Sequence, residues 1–187
     1  MVLAFERLES TAETAQSENA VARSNYQLMR ATVHLAAGEL ESAYEYATAS
    51  LATEPSGINA PAALAVQLRA ALWLGDIART RKTLADMYRF RGSWMAAVVL
   101  TGEAGVAAVE GRHDDAAAGY VRALQAWRSI DSPLDLALCG LDRAILRGSV
   151  ATPGTDDDEA REIFSRIGAT PLLARLDRAA TAASKAG

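Results

Sequence analysis

Apolar residues recur along this chain at steps of three and four, the spacing that lays a stripe down one face of an α-helix. After Gly38 the sequence ELESAYEYATASL places Ala43, Ala47, Ser50 and Leu51 on such a stripe. After Gly75, DIARTRKTLADMY gives Thr80, Leu84, Met87 and Tyr88. After Gly111, RHDDAAAGYVRAL gives Ala116, Tyr120, Ala123 and Leu124. Ala160, Phe164 and Ile167 repeat the 4, 3 step near the C-terminus. No run of strict apolar/polar alternation stands out, so the pattern predicts helices and no strands. The small alanines let paired helices approach closely, and Tyr120 or Phe164 fills the space beside them.

The punctuation supports this reading. Gly38, Gly75, Gly111 and Gly148 each close an apolar-periodic segment, as a residue tolerant of left-handed geometry should. Pro61, Pro133 and Pro171 each stand where a helix would begin, a position at which proline's missing N–H has no intrahelical partner to lose. The four glycines are spaced by 37, 36 and 37 residues, and a fixed period in this range marks stacked repeats. The predicted map has about ten helices: a leading helix over 2–16, pairs at 18–37 with 39–53, 61–74 with 76–90, 94–110 with 113–129 and 133–147 with 157–167, and a closing helix over 171–184. The fourth unit carries an insertion, SVATPGTDD, after Gly148. Leu8, Ala12 and Ala15 give the leading helix the spacing of a second helix, so the chain opens on half a repeat. That helix either caps the array or continues one that begins earlier.

Composition narrows the class. At 187 residues with half of them apolar, the chain holds enough material for a buried core in one domain or one short repeat array. Its single cysteine, Cys139, excludes an internal disulfide framework and fits a reducing compartment. The net charge of −4 argues against a general nucleic-acid binder. No apolar run approaches the ~18 residues of a membrane span, and Glu6 and Arg7 interrupt the N-terminus before a signal-peptide core could form. The expectation is a cytoplasmic protein with no membrane partner.

Candidate chemistry is sparse. His34 and His113 have no neighbouring cysteine or second histidine, whereas metal sites need such clusters at close spacing. Cys139 sits mid-helix with no basic partner to lower its pKa. The run from Asp156 to Glu159 reads as a helix-start cap, because carboxylates there meet free N–H groups. Arg81, Lys82 and Arg89 share a face opposite Leu84 and Met87, which makes them solvated outer surface. Trp73, Trp94 and Trp127 read as packing residues. Gly102 and Gly105 lie inside an apolar helix and serve close packing. No phosphate loop, dinucleotide fingerprint, nucleophile elbow or zinc-protease motif is present. No enzyme activity and no cofactor are expected.

A helix, a glycine turn, then alanine, aromatic and alanine at these offsets resembles the tetratricopeptide repeat. Pro55, 17 residues after Gly38, falls where that family often has proline. Thr80 stands in place of the family's alanine, the first helices lack its Trp-Leu-Gly pattern, and the period exceeds the usual 34. The longer period is similar to the divergent repeats of bacterial LuxR-type ATPase regulators and cyclase-linked ATPases. The run EAREIFSRIGATPLLARLDRAA, Glu159 to Ala180, resembles the end of their repeat region. The resemblance implies an all-α fold, a right-handed solenoid of antiparallel helix pairs forming one domain over 1–187: a leading helix at 1–17, repeats at 18–55, 59–92, 93–130 and 131–168, and a capping helix at 169–187.

In that register the first helices line a concave groove. Its wall takes Asn25, Leu28, Thr32 and Leu35, then Arg69, Leu72 and Trp73, then Thr101, Gly105, Asp135, Leu138 and Asp142. Arg69, Trp73 and Asp142 are the residues expected to make specific contacts. So mixed a wall suits a protein or peptide segment and not a nucleic acid. The implied function is a non-catalytic interaction or sensor module of a bacterial signalling or transcription regulator. The alternative is a free-standing adaptor, or a homodimer formed through exposed repeat ends; an enzyme with dispersed catalytic groups is a remote third reading.

Overall fold

The structure is a computed structural model that describes residues 12–146 and 155–186. All regular structure among these residues is helical, so the fold is all-α. The chain divides at Phe90 into two compact units.

The first unit holds a short 3-10 helix, Ala12–Gln16, followed by α1 (Ala20–Ala37), α2 (Leu40–Thr53), α3 (Ala60–Leu74) and α4 (Ile77–Met87). The second holds α5 (Ser93–Val109), α6 (His113–Ser129), α7 (Pro133–Leu146), α8 (Thr155–Arg166) and α9 (Thr170–Ala186). The expected leading helix over 2–16 lies mostly outside the described residues. Its last part is the 3-10 helix, which ends where Asn19 caps α1 by accepting the N–H groups of Val21 and Ala22. Gly148 and residues 147–154 also lie outside the described residues.

Local chemistry explains the boundaries. Asp76 caps α4 by accepting the N–H of Arg79 at 2.9 Å, and Pro61 sits in the first turn of α3. Gly38, Gly75 and Gly111 close α1, α3 and α5 with left-handed φ values of 88°, 72° and 75°. Two stripe residues depart from the expectation. Tyr88 and Ile167 are 51% and 50% exposed because α4 and α8 stop at Met87 and Arg166, so each side chain leaves its helical stripe in the following turn.

Helix pairing follows the small residues. Ala31, Ala43 and Ala47 are wholly buried where α1 meets α2. Ser24, near the start of α1, bonds Ser50, near the end of α2, with hydroxyls 3.0 Å apart, which makes the pair antiparallel. In the second unit a Cβ built on Gly119 of α6 would stand 2.9 Å from the Cβ of Ala104 on α5, so this pair touches through almost bare backbone. Tyr120, Leu124 and Trp127 of α6 are buried in the same unit, and Phe164 is wholly buried on α8, which packs on α7.

Because α3 packs against α1, α2 and α4, it buries more than one stripe, including the polar Gln67 at 5% exposure. That side chain is a bridge: its amide N–H donates to Thr48 on α2 at 2.8 Å, and its carbonyl accepts from Thr83 on α4 at 3.1 Å. Gln67→Leu is expected to cost about 1–3 kcal/mol, since it strands the buried Thr83 hydroxyl. A lowered urea midpoint checks this, and an unchanged midpoint would show that the bridge adds nothing.

Candidate functional site

The predicted groove wall divides between the two units. In the first, Asn25 and Thr32 are exposed on α1, and Leu28 is half-buried beside them. The Asn25 amide reaches the Met29 sulfur at 3.8 Å, and the Thr32 hydroxyl donates to the Leu28 carbonyl of its own helix at 2.9 Å. Leu35 is core, packed with Ala43 and Ala70, and Trp73 lies half-buried against that cluster. Arg69 and Leu72 retain only 8% and 1% exposure.

In the second unit Thr101 is closed off, at 2% exposure. Its hydroxyl donates to the Ala97 carbonyl at 2.9 Å and accepts the Trp127 indole N–H at 3.0 Å, with the Cys139 sulfur 3.6 Å away. Gly105 and Asp142 are buried as well, and Leu138 is half-buried. Asp135 is half-buried at the start of α7, where its carboxylate accepts the Ser132 hydroxyl at 2.7 Å and the Trp94 indole N–H at 2.9 Å. It therefore fixes the helix start and ties it to α5.

Leu35, Arg69, Leu72, Thr101, Gly105 and Asp142 thus do not stand on an open wall. The physical reason is that first helices touch each other: α1 packs on α3 and α5 packs on α7 as well as on their own partners. That contact consumes much of the stripe assigned to the groove. What α1 keeps open is a stripe without charge, in which Val21 and Met29 are 43% and 46% exposed beside Asn25 and Thr32.

The basic stretch of α4 is largely neutralised. Arg79 donates to Glu41 at 2.6 Å and lies over the Tyr44 ring at 4.7 Å. The hydrogen bond to Glu41 is the main cause that raises its pKa above the ordinary arginine value. Lys82 is raised in the same way, chiefly by its hydrogen bond to Asp86. Arg89 donates to the Pro55 carbonyl at 2.7 Å, while Arg81 and Lys82 keep to the exposed face expected of them.

Two arrangements escaped the sequence reading. On α1, Tyr26, Arg30 and His34 follow one another at steps of four; Arg30 donates to the Tyr26 hydroxyl at 3.2 Å, and Arg30 and His34 meet Tyr46 of α2. The Arg30 guanidinium lies 4.6 Å from the Tyr46 ring centre, and the His34 ring stacks on Tyr46 at 5.0 Å while its Nδ1 meets Glu39. The step of four was the available signal; the aromatic partner on α2 was not. The acidic run at the start of α8 forms cross-helix and local ion pairs, Asp157 with Arg143, Asp158 with Arg161 and Glu159 with Arg128.

The second arrangement is a cleft of about 290 Å³ where the end of α6 and the start of α7 meet α8. Trp127, Pro133, Leu136 and Ile163 supply apolar lining. Arg128, Asp131, Glu159, Glu162 and Arg166 supply charge, with Arg128 tied to Glu159. Asp131 has φ +51°, and among the described residues it is the one non-glycine with a left-handed backbone. No protein-family model, curated protein or solved structure matches the chain.

Proposed function

We propose that the chain is a non-catalytic helical-repeat module, an α-solenoid of the tetratricopeptide kind, that holds a segment of a partner protein against the exposed faces of its first helices. Its setting is a bacterial signalling or transcription regulator working in the cytoplasm. The supporting observation is a repeated hairpin closure. Gly38, Gly75 and Gly111 end α1, α3 and α5 with the same two backbone bonds, and they recur every 37 and 36 residues. Stacked repeats of this kind present several short faces in a row, each adding a few side chains to one extended surface.

The α1 face is the part to test, because its stripe of Val21, Asn25, Met29 and Thr32 is open and uncharged. Arg69 is too buried for this purpose, since a charge reversal there disturbs the fold itself. With the full chain as bait in a native-host lysate, Asn25→Glu with Met29→Glu is expected to abolish capture of the partner while circular dichroism stays unchanged. Arg81→Glu with Lys82→Glu, on the outer face of α4, is expected to leave capture intact. The reverse outcome would place the partner on the outer surface and end this reading.

A further inference from the structure

We draw no further inference here: the strongest candidate, the exposed apolar surface of Ile58 on the turn between α2 and α3 with Val21 and Met29 on α1, belongs in part to the α1 face already described, and nothing in the structure shows what covers it.

Discussion

Trp127→Ala is expected to destabilise the second unit by about 3–5 kcal/mol and to lower its melting temperature by more than about 12 °C. Trp127 is the largest of the fully buried side chains, with 1% of its surface exposed. It meets Trp94 edge-on, with ring centres 6.0 Å apart, and such a pair adds about 0.5–1.5 kcal/mol to plain burial. Its indole N–H donates to Thr101, which is itself 2% exposed. Alanine would leave a cavity against α5 and strand part of the Thr101 hydroxyl's bonding. Trp127→Phe separates these effects. Phenylalanine keeps most of the ring contact and loses only the polar bond, so its cost is expected near 1 kcal/mol. Calorimetry of both variants is the check, and equal losses would show that the hydrogen bond, not the packing, carries the stability.

Ala116→Leu is expected to cost about 1–3 kcal/mol through overpacking, whereas Ala117→Leu, one step round the same helix, should be close to neutral. Ala116 is 6% exposed on the face of α6 that meets α5, and Ala117 is exposed. The gap cannot widen to accept a larger residue, because one turn further on Gly119 already lies against Ala104. A Cβ at Gly119 would fall 2.9 Å from the Ala104 Cβ and 3.2 Å from its Cα, so backbone would have to move. Thermal melts of the two leucine variants decide the matter; coincident curves would mean that α6 turns a different face to α5.

The helices were legible because their signals are local. Pro61 in a first turn and Gly38, Gly75 and Gly111 as left-handed stops all act within a few residues of themselves. The stripe of Ala43, Ala47 and Ser50 is equally local, since 3.6 residues per turn fixes which side chains share a face. Legibility failed at the ends of α4 and α8, where Tyr88 and Ile167 keep the apolar spacing although the helix has already stopped. It failed again at Asp131, where the sequence carries no glycine to announce a left-handed residue.

The all-helical architecture, the pairing within each hairpin and the small residues at each close approach follow from sequence alone, because period and propensity act over a few residues. The fate of the polar groups does not. Thr101 and Cys139 are 38 positions apart, and Trp127 lies 26 beyond Thr101; they meet only because α5 packs on both α6 and α7. That packing also hides Thr101 and Asp142, as the packing of α3 on α1, α2 and α4 hides Arg69, all of which the register alone places on an open wall. The packing of α8 on α7 brings Glu162 and Arg166 of α8 to one cleft with Asp131, from the turn after α6. A helical stripe states which residues share a face. Which of those faces a neighbouring helix covers is settled by the third element to arrive, and that information is spread along the whole chain.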